Sequence, residues 1–374
     1  MSKKILFLTG TRADFGKIKS LIQILEEHPN FEPYIFVTGM HLQNEYGYTL
    51  LEVERCGFSN IHTFENHTHE TTMDLTLAKT IEGLSTYIKT CRPDMIVIHG
   101  DRVEALAGSI VGSLNNILVS HIEGGEVSGT IDELIRHSTS KMSHIHFVSN
   151  KQAKKRLVQM GELDESIFII GSPDIDIMFS SNLPDLPIAK EYYEIAFENY
   201  AVAMFHPVTT EANCMQDYAD NFVAALLADN HNYVLVYPNN DLGSKAVLKA
   251  YEQLTENPRF RIFPSLRFEY FLTLLKNAQF IIGNSSAGIR EAPYYGLPII
   301  NIGTRQKNRA LHADIINVDY TLKSILQALK KIDSHEVKPS ANDFGKGNSA
   351  ELFLKYLLNH KTWQLNHQKQ FKDI

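Results

Sequence analysis

Short apolar runs recur along the chain, each closed by a glycine, histidine or polar turn and followed by a stretch with helical spacing. Ile5-Leu6-Phe7-Leu8 is the first predicted strand, stopped by Gly10, with a helix from about Lys17 to Glu27. Tyr34-Ile35-Phe36-Val37, Met95-Ile96-Val97-Ile98 and Ile117-Leu118-Val119-Ser120 read as further strands, the last two separated by a helix over Val103–Ser113. His146-Phe147-Val148 and Ile167-Phe168-Ile169-Ile170 complete a first series near Gly171. The polar, proline-bearing stretch Ser181–Pro187 then reads as a linker. A second series runs through Ala201–Phe205, Tyr233–Val236, Phe280–Ile282 and Pro298–Ile300, with helices over about Ser244–Leu254 and Phe268–Asn277. Strands alternating with helices predict a parallel α/β sheet, and two such series predict two doubly wound domains. Ligands of such sheets bind beyond the carboxyl ends of the strands, so a cleft lined by post-strand loops is expected.

Composition narrows this picture without changing it. At 374 residues, 44% of them hydrophobic and 21% charged, the chain suits two globular domains. No apolar run approaches the roughly 20 residues that span a bilayer. The first apolar stretch ends at Leu8, too soon for a signal peptide, so the expected address is the cytoplasm. Cys56, Cys91 and Cys214 are too scattered for a disulfide framework, and the 16 histidines fall into no zinc-ligand spacing, so no metal is expected. A net charge of −7 and the lack of a basic stripe argue against nucleic acid. A small anion is a different matter, since a few arginines and helix N-termini suffice to bind it.

The candidate chemistry gathers directly after predicted strands. Gly10-Thr11-Arg12-Ala13-Asp14-Phe15-Gly16 is not a dinucleotide fingerprint. It suits a phosphate or ribose, or else it is a plain turn in which Asp14 caps a helix. His99-Gly100-Asp101-Arg102 offers Asp101 either as a reactive carboxylate or as the cap of the helix at Val103. The densest segment is His121-Ile122-Glu123-Gly124-Gly125-Glu126, followed by Thr130-Ile131-Asp132-Glu133 and Arg136-His137. Crowded carboxylates are how acid and base roles are separated, although Glu133 and Arg136 could form a surface pair and the loop a solvated turn. In the second series, Phe205-His206-Pro207, Tyr237-Pro238-Asn239, Gly283-Asn284-Ser285-Ser286 and Gly303-Thr304-Arg305 end strands in the same way. Ser285 and Ser286, before a helix containing Arg290 and Glu291, form either a diphosphate cradle or a helix cap. His62, His67 and His69 read as ordinary surface residues.

Taken together, these motifs, with Val37-Thr38-Gly39-Met40-His41, resemble the UDP-N-acetylglucosamine 2-epimerases from about Lys4 to Arg309. Arg12-Ala13-Asp14 is similar to the hydrolysing branch that feeds sialic-acid synthesis; the non-hydrolysing branch carries proline and glutamate after the arginine. The resemblance implies a GT-B-like fold: Rossmann-like domains at 1–172 and 173–350, and a C-terminal helix at 351–374 returning to the first. Ser349–Asn359 and Trp363–Phe371 are helical enough to supply that return. It implies a homodimer or homotetramer, no cofactor and no membrane partner. UDP recognition would fall to Arg12, Asn239, Ser285, Ser286, Glu291 and Arg305, with His206 and Arg102 at the diphosphate. Asp101, Glu123 and Asp132 would surround the sugar, supported by His41, Arg136 and His137.

The expected reaction is removal of the C2 proton as UDP leaves C1, giving a glycal, followed by water addition with inverted C2. Asp101 is the expected base, Glu123 and Asp132 the acid/base pair for hydration, and His206 a neutraliser of the leaving UDP. The same motifs fit a UDP-2,4-diacetamido-2,4,6-trideoxyhexose on the route to legionaminic acid. A GT-B glycosyltransferase and a non-catalytic nucleotide-sugar sensor are the remaining alternatives. A sensor gains nothing from carboxylates beside an anion.

Overall fold

The computed structural model describes residues 2–67, 72–128, 130–306, 315–332, 334–335 and 344–373; His69 and Arg309 lie outside them. The chain divides into two compact units. One comprises Met1–Glu126, Asp132–Ser180 and Asn342–Ile374; the other comprises Ser181–Ala341 with Val127–Ile131. Each is built on a wholly parallel sheet, the pair of Rossmann-like sheets that a GT-B-like chain requires.

The first unit orders its strands β3-β2-β1-β4-β5-β6-β7. These are β1 (Lys3–Thr9), β2 (Phe31–Val37), β3 (Ile61–Thr63), β4 (Met95–His99), β5 (Leu118–Ile122), β6 (Ile145–Val148) and β7 (Ile167–Ile169). Its helices are α1 (Arg12–Glu26), α2 (Leu50–Glu54), α3 (Met73–Cys91), α4 (Val103–Leu114), α5 (Ile131–Met142), α6 (Lys151–Gln159) and α7 (Pro173–Met178). The second unit contains α8 (Leu186–Tyr192), α9 (Met215–Ala228), α10 (Ser244–Tyr251), α11 (Phe268–Lys276), α12 (Ala287–Arg290) and α13 (Leu322–Ile332). Its strands β8 (Ala201–Met204), β9 (Tyr233–Val236), β10 (Phe260–Phe263), β11 (Ile281–Gly283), β12 (Ile299–Ile302) and β13 (Ile315–Val318) run in the order β10-β9-β8-β11-β12-β13. The chain therefore reverses direction across the sheet between β1 and β4, and again between β8 and β11. Those are the places where post-strand loops diverge and leave room for a ligand.

Strands covered on both faces explain the continuous apolar runs. Ile5, Leu6 and Phe7 are fully buried, as are Met95, Ile96 and Val97. The helix α14 (Ser349–Leu358) joins the first unit by placing Phe353 in the same core as Phe7, Ile18 and Phe147. Its first turn is held by Asp176 of α7, which accepts from the backbone N–H groups of Ser349 and Ala350 at 2.8 and 2.7 Å.

Several expected boundaries shift, each for a local reason. The first helix begins at Arg12, not Lys17, because Thr11 and Asp14 form a reciprocal capping box; Asp14 is thus part of a cap. Residues 173–180 belong with the first unit, where Asp174 and Asp176 bond to α1 and α14. The expected linker already starts a helix at Leu186. Trp363–Phe371 is no helix: a short 3-10 turn spans His360–Gln364 and the tail beyond it is irregular. The sequence reading also passed over β3, β10 and β13, all three at sheet edges where most side chains are at best half-buried.

Candidate active site

The first unit gathers its charged groups at the exits of β4 and β5. Asp101 follows β4 and Glu123 follows β5; both strands are neighbours in the sheet. Asp101 does not cap α4, whose N-cap is Arg102 with no side-chain bond. Instead the Asp101 carboxylate accepts from Nη2 of Arg136, while Nη1 of the same guanidinium donates to the Glu123 carbonyl at 2.8 Å. Arg136 is only 3% exposed, so it is not a surface residue. Glu133 faces His137, with 3.7 Å between Oε1 and Nε2.

Glu123 is 2% exposed and adopts a left-handed backbone, φ +63°, which costs a non-glycine residue about 1–3 kcal/mol. The turn is not a solvated loop. His99 Nε2 sits 3.1 Å from Glu123 Oε2, and Ser172 Oγ donates to Oε1. Lys17, reaching in from α1, lies 3.9 Å from Oε2 and 3.0 Å from Asp174 Oδ2. A cation with two carboxylates and an imidazole makes a buried network whose members share charge, which is the only cheap way to keep such groups out of water. Asp132 stands half-buried in the first turn of α5. Glu126 is buried too, accepting from Ser149 Oγ at 2.6 Å.

Two histidines are locked by their surroundings. His121 Nε2 donates to the Gly100 carbonyl at 2.8 Å, leaving Nδ1 to accept from Ser140 Oγ at 2.9 Å. Burial pushes its pKa down to about 3, so the ring is neutral. Gly124 allows this contact: a Cβ there would lie 2.8 Å from Ser140 Oγ and 2.9 Å from His121 Nδ1. His41 is also fully buried, its pKa pushed down to about 4 by desolvation. Its Nε2 bonds Thr9 Oγ1 at 3.0 Å and its Nδ1 bonds Thr49 Oγ1 at 2.7 Å. With both nitrogens engaged internally, His41 braces the β1 exit and offers nothing to a substrate. Arg136 likewise holds the carboxylates. Arg12 pairs with Glu52 at 3.4 Å, and Arg102 Nε with the buried Glu104 at 3.3 Å. His62 and His67 are not fully exposed; His62 stacks on Tyr87 at 4.0 Å.

In the second unit the two loops flanking the reversal point are tied by one amide. Asn284 Oδ1 accepts from the His206 N–H at 2.6 Å, and its Nδ2 donates to the His206 carbonyl at 2.8 Å. His206 Nδ1 accepts the Asn239 N–H at 3.0 Å, so a neutral ring carries its proton on Nε2. Arg305 Nη1 and Gln306 Nε2 both donate to the Asn284 carbonyl, at 3.2 and 2.8 Å. Ser285 Oγ accepts from Ala287 N at 3.3 Å, and Ser286 is the N-cap of α12. That helix stops at Arg290; Glu291, buried, is the residue that ends it. His206, Asn239, Ser285, Ser286 and Arg305 therefore share one end of one sheet.

A family model described as UDP-N-acetylglucosamine 2-epimerase matches residues 23–358. The chain belongs to this family. It is 49% identical over 375 residues to the UDP-N-acetylglucosamine 2-epimerase of Neisseria meningitidis serogroup B, covering 100% of this chain and 99% of that one. It is 33% identical over 358 residues to the hydrolysing UDP-N,N'-diacetylbacillosamine 2-epimerase of Legionella pneumophila, covering 94% of each. The crystal structure of Methanocaldococcus jannaschii UDP-GlcNAc 2-epimerase with UDP-GlcNAc and UDP superposes with a TM-score of 0.80 at 21% identity, over 95% of this chain and 99% of that one.

Within this family member, sequence reasoning left out Lys17, His99, Ser172, Asp174 and Asn284 as site residues. Lys17 had a readable signal, a lysine between Phe15, Gly16 and Ile18 on the buried face of a helix. Asn284 had a weaker one, following Gly283 at a strand exit. Ser172 and Asp174 had none, because their partners Glu123 and Lys17 are 49 and 157 residues away.

Proposed function

We propose that the chain hydrolyses UDP-N-acetylglucosamine with inversion at C2, giving N-acetylmannosamine and UDP for sialic-acid biosynthesis. The observation that carries this reading is the pair of carboxylates, Asp101 and Glu123, held at adjacent strand exits by the single guanidinium of Arg136. Hydrolysis, as against simple epimerisation, is supported by Arg12-Ala13-Asp14 and by the hydrolysing Legionella relative.

The chemistry proceeds in two stages. Asp101 takes the C2 proton as the C1–O bond breaks, and the electron pair forms the C1–C2 double bond of a glycal while UDP departs. His206, with the donors around Ser285 and Ser286, offsets the negative charge gathering on the diphosphate. Asn239, Glu291, Arg305 and Arg12 recognise the nucleotide. A proton then returns to the opposite face of C2 and hydroxide from water joins C1, with Glu123, linked to His99, and Asp132 as the exchanging groups. His137 stands one turn beyond Asp132 on α5 as a polar support.

Incubation with UDP-N-acetylglucosamine in D2O tests this directly. Free UDP and N-acetylmannosamine deuterated at C2 are expected by NMR. Release of UDP-N-acetylmannosamine without free sugar would replace hydrolysis with simple epimerisation, and a fully retained C2 hydrogen would reject elimination. A second reading is favoured by the Legionella relative: the same reaction on UDP-N,N'-diacetylbacillosamine. Faster turnover of that sugar in the same assay selects it.

A further inference from the structure

The irregular tail after α14 meets the far end of the helix that carries Asp132 and Arg136. Lys369 Nζ donates to the carbonyls of Ser140, Lys141 and Ser143 at 3.1, 2.8 and 2.6 Å. These belong to the C-terminal turn of α5 and the residue just past it, where carbonyls lack helical partners and the helix dipole favours a cation. The same ammonium lies 2.5 Å from Glu162 Oε2, and Glu162 also receives Lys141 Nζ and His146 Nε2, each at 3.0 Å. Burial lowers Lys369 to about 8 while its cationic and imidazole neighbours hold Glu162 near 2, so at neutral pH both are charged. The tail is docked in register on either side. The His367 carbonyl faces His144 Nε2 at 3.0 Å, and the Phe371 ring lies under Lys141 Nζ at 4.9 Å.

We propose that Lys369 is a positioning residue for the carboxylate site, acting through α5. The path is short and continuous. Ser140, whose carbonyl accepts from Lys369, uses its own hydroxyl to hold His121, and His121 holds the Gly100 carbonyl next to Asp101. One turn back on the same helix, Arg136 grips Asp101 and the Glu123 carbonyl. A shift of α5 along its axis therefore moves both carboxylates together. Displacement of reacting groups by about 1 Å costs roughly a hundredfold in rate. The inference rests on the proposed epimerase chemistry.

The test compares three full-length variants with wild type for kcat, KM and Tm, reading total release of UDP. Lys369→Met is expected to lower kcat by about tenfold or more with KM within about twofold. Ser140→Ala, which removes no buried charge, is expected to fold and to lower kcat in the same direction. Trp363→Leu loosens the tail elsewhere, removing the bond from Nε1 to the Leu357 carbonyl, and is expected to lower Tm while keeping kcat. Wild-type kcat in Lys369→Met or in Ser140→Ala overturns the proposal. So does an equal kcat loss in Trp363→Leu, which would mean that general loosening is responsible. Should wild type release no UDP from any UDP-sugar, it is the hydrolysing reading that fails.

Discussion

Asp101 is the residue on which the chemistry turns, and its surroundings say what its removal should do. Arg136 orients its carboxylate and no helix cap depends on it. Asp101→Asn keeps the shape but cannot take a proton, so turnover is expected to fall by at least about a thousandfold, a loss typical of removing a general base together with its charge. UDP affinity, measured by calorimetry, is expected to stay within about threefold because the proposed nucleotide contacts, Arg12 apart, lie in the other unit and Asp101 is held by Arg136, which is not among them. Appreciable turnover in that variant would remove Asp101 from the base role.

The buried histidines make a second prediction at the same scale. His41 and His121 titrate near 4 and 3 in the folded chain, against about 6.5 when unfolded. Their folded pKa values are depressed, so between about pH 4 and 6.5 the unfolded state binds more protons. Stability is therefore lost as pH falls through that window and is fully present above it. At pH 5.5 these two rings alone should take up about two protons on unfolding, which calorimetry in buffers of different ionisation enthalpy reads directly. No net uptake at that pH would mean that the rings are charged in the native state, which their complete burial opposes. For the same reason an acid limb in the rate profile between pH 5 and 7 must come from other groups.

At the scale of elements, Asn284 does for the second unit what Arg136 does for the first. One side chain at the β11 exit holds the backbone at the β8 exit by a donor and an acceptor, and so sets where His206 stands. Asn284→Ala removes this donor and acceptor from the half-buried His206 N–H and C=O, at up to about 1–3 kcal/mol each. UDP affinity is expected to weaken by about tenfold or more with the far-ultraviolet circular dichroism unchanged. Affinity equal to wild type would show that His206 keeps its place without the amide. The first helix of the first unit also explains what sequence reading could and could not reach. The Gly10–Gly16 segment looked like a loop because its arginine and aspartate are polar, yet a capping box starts the helix inside it. Local pattern reports the apolar face of α1 faithfully and offered Asp14 as a cap; it did not report that the bonds from Asp14 back to Thr11 and Gly10 start the helix as early as Arg12.

At the scale of the whole molecule, the alternation of apolar runs and helical spacing made both parallel sheets legible, since strands covered on two faces must be apolar throughout. The motif-bearing residues sit at strand exits for the reason expected, the reversal of strand order. What pattern could not supply was the set of partners drawn from distant parts of the chain, such as Lys17 with Asp174 or Lys369 with Glu162. Those pairs depend on how helices cross the sheet, which no local window contains.

Each unit also has a core of its own. Phe7, Ile18, Leu21, Phe147 and Phe353 pack in the first, and Phe205, Phe222, Tyr233, Leu235 and Tyr251 in the second. Separate cores predict two calorimetric transitions. Gly283 offers a way to label one of them. It closes β11 at φ +133°, a conformation that side chains rarely adopt, and a Cβ there would stand 1.9 Å from the Met204 carbonyl oxygen of β8. Gly283→Ala must force those two strands apart, costing about 3 kcal/mol or more, or roughly 6–12 °C in Tm for a unit of this size. Only one transition is expected to move. UDP at about a hundred times its Kd should raise that same transition by about 2.7 kcal/mol, because binding to the folded unit alone draws the equilibrium toward it. If UDP instead raised the transition that Gly283→Ala leaves untouched, the nucleotide contacts assigned to His206, Asn239, Ser285 and Arg305 would be wrong even were the reaction itself correct.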